Sequence, residues 1–123
     1  MSEVTEKGKQ AKEAAQKLSL VPTKIKNNAL ERMAEALYKN SATILQANSL
    51  DLEAGEKKEL PRALLDRLAI DGKRIKEMIN GLKVIKSLPD PIGEVITGWK
   101  RPNGLKIKIV RVPLGVIGII YEA

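Results

Sequence analysis

A chain of 123 residues is long enough for one domain with a core of useful size, and 43% hydrophobic with 30% charged residues is a globular composition. Cysteine and histidine are both absent, which excludes a disulfide framework, a Cys/His zinc site, a thiol nucleophile and an imidazole base. The net charge is +7, no apolar run reaches about 18 residues, and no basic-apolar leader opens the chain, so no membrane or secretory role is expected and the default location is cytoplasmic.

The first ninety residues read as successive helices. Val4, Ala11, Ala14, Ala15 and Leu18 recur at helical spacing until Pro22-Thr23 interrupts them, with Thr23 as the expected N-cap of the next helix. Ile25, Ala29, Met33 and Leu37 then form one stripe, with Leu30 and Ala34 beside it. Asn40-Ser41 breaks the pattern and opens a third helix with Leu45, Asn48 and Leu52 on one face. Gly55 and the charged run from Glu56 to Glu59 read as a loop, and Pro61 suits the first turn of a short helix through Leu68. Asp71 is the expected N-cap of the longest helix, striped by Ile75, Met78, Ile79, Leu82 and Ile85, which should end at Leu88 because Pro89 follows. The acids lie mostly on predicted helix exteriors, at spacings that suit solvation and ion pairing rather than a catalytic pair.

The pattern changes at Pro89-Asp90-Pro91, after which β-branched residues dominate. Gly93 to Trp99 and Leu105 to Val112 read as two strands of a hairpin, joined through Pro102-Asn103-Gly104. Leu105, Ile107 and Ile109 share one parity, whereas Val110 and Val112 take the other, which predicts a bulge near Ile109-Val110. A second turn at Pro113-Leu114-Gly115 precedes Val116 to Tyr121, an almost wholly apolar run of the kind buried on both faces in a parallel sheet. Such a strand needs a crossover helix and a parallel neighbour, and the sequence supplies neither. The expected fold class is therefore α/β. A helical segment over 1–92 leads to a hairpin arm over 93–112, and 113–123 forms the first strand of an incomplete, doubly wound dinucleotide-binding domain.

Few residues here point to chemistry. Gly115-Val116-Ile117-Gly118 falls short of a dinucleotide fingerprint, because its glycines do not close a strand onto a helix. Gly115 suits a turn and Gly118 suits close packing. Lys100, Arg101, Lys106, Lys108 and Arg111 make the hairpin basic, and no acid lies between Val95 and Tyr121. That excess attracts an anionic ligand or an acidic surface. Aromatic stacking residues and groove-reading motifs are almost absent, so specific nucleic-acid binding is not expected. Trp99 reads as a packing or interface anchor.

Three stretches together carry a resemblance: Leu88 to Val95, Gly98 to Leu105, and Val110 to Ala123. With Ile44 to Glu53 and Ala63 to Leu68, they closely resemble the N-terminal third of the gamma-glutamyl phosphate reductases, in the aldehyde dehydrogenase superfamily. The resemblance implies a cysteine thiolate, far downstream of this segment, that attacks the acyl phosphate of L-glutamyl 5-phosphate to form a thioester. Hydride from NADPH then yields L-glutamate 5-semialdehyde, a step of proline biosynthesis. It also implies a homo-oligomer joined through the hairpin, glutamate 5-kinase as a partner, and Ile120, Tyr121 and Glu122 near the cofactor. By the same resemblance no residue of this segment is catalytic. The alternative is a stand-alone helical interaction module whose basic β-arm binds protein or nucleic acid, and an exposed apolar terminal strand argues against it.

Overall fold

The computed structural model describes residues 2–120, and most of its breaks fall at the residues whose chemistry demands them. Helix α1 (Glu3–Leu18) starts at Ser2, whose side chain accepts the Thr5 N–H. Glu3 and Glu6 lie in its first turn and Lys17 in its last, as the helix dipole favours. Helix α2 (Thr23–Lys39) ends at Asn40, whose Nδ2 donates to the carbonyl of Ala36 at 2.8 Å. The expected Thr23 cap takes a different form: Thr23 is the first helical residue, and its hydroxyl donates to Asp90 Oδ2 at 2.8 Å.

Helix α3 (Ser41–Lys57) corrects one expectation. Gly55 is not in a loop but in the last turn of the helix, and the chain turns four residues later at Glu59. There the Leu60 N–H reaches back to Gly55 O at 3.1 Å and the Glu59 N–H to Glu56 O at 2.9 Å. This is a Schellman ending with glutamate, at φ 54°, in the left-handed position that glycine usually fills. Gly55 is needed for packing instead. A Cβ placed on it would lie 2.9 Å from Leu65 Cδ2 and 3.1 Å from Leu60 Cδ1.

Helix α4 (Arg62–Leu68) follows Pro61, and helix α5 (Gly72–Ser87) starts at Asp71, whose Oδ1 accepts the Arg74 N–H at 2.7 Å. Leu88 is extended, as the residue before proline should be, and α5 ends there.

The chain forms two compact units: residues 24–88, and residues 2–23 together with 89–120. In the first, α3 packs on α4 and α5, with Ala34 and Ile75 as buried apolar side chains and Asn48 buried between helices. In the second, α1 groups with a two-stranded antiparallel sheet of β1 (Val95–Lys100) and β2 (Lys106–Val110).

Two strand expectations are corrected. The irregularity does sit opposite Ile109-Val110, but the extra residue is Ile96 on β1, because Val95 pairs Val110 and Thr97 pairs Ile109. Val116 to Ile120 forms no strand, although strand propensity is high there. A strand is defined by its ladder, and this segment has no hydrogen-bonded neighbour among the described residues.

Candidate functional site

The hairpin arm presents both apolar and cationic side chains to solvent. Its base is built by a turn in which the Glu94 N–H donates to Pro91 O at 3.1 Å, with Gly93 at φ 88°. Asp90 orients that turn, since its Oδ1 accepts the Ile92 N–H at 3.0 Å while its Oδ2 holds Thr23. The ladder begins outside the regular strands, with Gly93 N–H to Arg111 O at 3.0 Å and Arg111 N–H to Glu94 O at 2.9 Å. An ion pair between Arg111 Nε and Glu94 Oε2, at 3.1 Å, closes the base.

At the tip, the Gly104 N–H donates to Arg101 O at 2.9 Å and the Arg101 N–H to Leu105 O at 2.8 Å. Asn103 Oδ1 accepts the Leu105 N–H at 3.1 Å. Gly104 has φ 88°, so this is a three-residue hairpin loop with glycine at its left-handed position.

The register sorts the arm into two faces. Trp99 opposes Ile107 and Thr97 opposes Ile109 on one face; Lys100 opposes Lys106 and Gly98 opposes Lys108 on the other. Lys100 and Lys106 are like charges directly across the ladder, which costs stability unless something anionic lies against them. Trp99 is 47% exposed, and Leu105, Ile109 and Val110 are exposed as well. A narrow ribbon with one apolar face and one cationic face, with neither edge paired among the described residues, is suited to being covered.

The residues expected near a cofactor are less informative. Ile120 is fully exposed, at the end of the unpaired segment, and Tyr121 and Glu122 lie outside the described residues. Gly115 has a left-handed φ of 92°, but the turn expected at Pro113-Leu114-Gly115 is not formed. The described residues contain no cluster of acids able to hold a metal ion, and none of their helices is long and apolar enough to cross a membrane.

Two positioning roles were not foreseen from the sequence. Asn48, only 6% exposed, donates from Nδ2 to Leu68 O at 2.9 Å and accepts the Ile70 N–H on Oδ1 at 2.7 Å. It thereby pins the α4–α5 linker to α3. Arg74 closes the same linker from the other side, donating from Nη1 to the carbonyls of Asp66 and Ala69 and pairing with the Asp66 carboxylate at 3.4 Å. A signal for Asn48 was available, since it is a lone amide on an otherwise apolar stripe. A groove of about 460 Å³ runs between α2 and α5, floored by Leu30, Ala34, Ile79 and Leu82 and bridged by Lys86 to Glu31 at 3.0 Å.

Solved structures of two gamma-glutamyl phosphate reductases are similar to this chain. A gamma-glutamyl phosphate reductase from Thermotoga maritima matches 91% of this chain and 27% of its own, with a TM-score of 0.88 and 42% identity. The Saccharomyces cerevisiae enzyme of the same name matches 92% of this chain and 29% of its own, with a TM-score of 0.83 and 29% identity. In sequence, the gamma-glutamyl phosphate reductase of Heliobacterium modesticaldum is 59% identical over 122 residues, covering 99% of this chain and 29% of the relative. That of Geobacillus kaustophilus is 49% identical over 123 residues, covering 100% and 30%. No family model matches. The chain is thus homologous over essentially its whole length to gamma-glutamyl phosphate reductases, and it spans less than a third of the curated relatives it matches.

Proposed function

We propose that these 123 residues serve as the N-terminal segment of a cytoplasmic, NADPH-dependent reductase that converts L-glutamyl 5-phosphate to L-glutamate 5-semialdehyde in proline biosynthesis. What carries the reading is identity of up to 59% sustained over 122 residues, through helices, arm and terminal segment alike. A binding module that had merely borrowed the hairpin would match there alone.

The segment's part in the reaction is architectural. It contains no cysteine, so an acyl-enzyme thioester forms on a thiolate outside these residues. The described residues do not by themselves form a nicotinamide cradle, because Gly115 and Gly118 close onto no helix N-terminus and Ile120 is bare. No chemical step is therefore assigned to them. Ile120, Tyr121 and Glu122 are proposed to line the cofactor's site once their strand is paired inside a parallel sheet, where ligands gather at carboxyl ends. The arm is proposed to join subunits of a homo-oligomer, its apolar face and free edges taking up a partner copy. Glutamate 5-kinase is the proposed source of the labile acyl phosphate.

A chimera tests this. The 123 residues replace the matching segment of the Heliobacterium modesticaldum reductase, and NADP reduction is followed with glutamate 5-semialdehyde and phosphate. Activity within an order of magnitude of the parent is expected. A chimera that folds and assembles like the parent yet has no activity refutes the proposal.

A further inference from the structure

The sequence contains two Asn-Gly pairs, Asn80-Gly81 and Asn103-Gly104; all four residues are exposed, but the fold places one pair in a helix and the other in a loop. The first lies inside α5, where the Gly81 N–H belongs to the intrahelical ladder. The second lies at the tip of the arm, with both residues exposed.

We propose that Asn103 is a spontaneous modification site, converting through a succinimide to aspartate or isoaspartate, and that Asn80 is not. The Gly104 nitrogen loses its proton to solvent base and attacks Asn103 Cγ. The N–Cγ bond forms, the Cγ–Nδ2 bond breaks, and Nδ2 takes up a proton and leaves as ammonia. Water then adds to either carbonyl of the five-membered ring and opens it.

Three features of the tip favour this path. Apart from its chain neighbours, no heavy atom lies within 4 Å of the place a Gly104 Cβ would occupy, so the tip has room to rearrange, as the surface at Gly81 also does. The Leu105 N–H donates to Asn103 Oδ1 and so draws electron density from Cγ, the carbon under attack. Lys100, Arg101 and Lys106 flank the loop and stabilise the negative charge that develops on nitrogen and oxygen. Against it stands the bond from Gly104 N–H to Arg101 O, which must open first. That opening is local to an exposed loop, whereas freeing Gly81 requires part of a sixteen-residue helix to melt.

The product alters the arm. Aspartate puts a carboxylate within a tip that carries only cations. Isoaspartate also adds a methylene to the backbone, which spoils the Arg101–Gly104 turn bond.

The test is incubation of the 123-residue chain at mildly alkaline pH, with and without denaturant, followed by trypsin and mass spectrometry. Tryptic peptides 77–83 and 101–106 report the two sites separately. Under native conditions conversion at Asn103 should exceed that at Asn80 by about tenfold or more, and the two rates should converge in denaturant. Equal rates in the native chain overturn the proposal. So does an Asn103 that converts in denaturant and stays intact in the native chain, since the turn would then protect it.

Discussion

Replacing Asn48 with alanine removes both hydrogen bonds that hold the α4–α5 linker against α3, at 2.9 Å to Leu68 O and 2.7 Å from the Ile70 N–H. Each bond contributes about 1 kcal/mol net, and a backbone group left dry costs about 1–3 kcal/mol. Leu68 and Ile70 are half-buried, so water recovers part of the loss and about 2–4 kcal/mol of destabilisation is expected. Against a typical total of about 5–15 kcal/mol this is a large share. Asn48→Asp separates the two bonds, because it keeps the acceptor for Ile70 and turns the donor into an oxygen facing Leu68 O. Only the protonated acid can donate there, so the folded variant binds a proton more tightly than the unfolded one. Its stability should therefore fall as pH rises through the carboxyl range, opposite to the behaviour of a salt-bridged aspartate. Urea unfolding followed by circular dichroism gives the first number, and amide hydrogen exchange at Ile70 gives the local one. An Asn48→Ala protein with an unchanged midpoint and a still-protected Ile70 amide refutes the clamp.

Three other perturbations follow from the same geometry. Glu59→Gly relieves a side chain held at φ 54° and should raise unfolding stability by about 1 kcal/mol in the same urea assay. Gly104→Ala puts a Cβ on a residue at φ 88°, costing about 1–2 kcal/mol, and should weaken the cross-strand proton contacts between Trp99 and Ile107 in NMR spectra. The double change Ile117→Lys with Ile119→Lys breaks an exposed, uncharged, β-prone run and should raise the concentration at which the chain stays monomeric in sedimentation. Identical sedimentation of variant and parent would remove that segment as the source of association.

Local chemistry was readable from sequence wherever a residue acts on its own neighbours. Asp71 bonds a backbone group three positions away, Pro89 limits the residue before it, and Pro102-Asn103-Gly104 closes its own loop. Failures arose where the partner is distant. Gly55 looked like a breaker, and only the arrival of Leu60 and Leu65 shows that its missing Cβ makes room. Asn48 was placed on the right face, yet its partners lie 20 and 22 positions on. The parity change in β2 was visible, but the compensating extra residue is on β1, which the pattern of one strand cannot reveal. The apolar run after Gly115 was read as a strand from composition, and composition supplies no ladder. The site expected at Ile120 came from resemblance alone, since no pattern of residues here points to it.

The bond from Thr23 to Asp90 joins residues 67 positions apart across an exposed surface. Closing a flexible loop of that length costs on the order of 4 kcal/mol, and one exposed hydrogen bond returns about 1 kcal/mol. The bond therefore cannot gather the chain by itself. It becomes favourable only after α2 to α5 have condensed and carried their two ends close together, when little closure entropy remains to be lost. The order of events is thereby constrained for this one bond: it follows the condensation of the helical unit, whereas the Asp90 turn and the arm, held by local bonds, need not wait for it. During synthesis the cationic ribbon emerges only after the residues of the helical unit have left the ribosome.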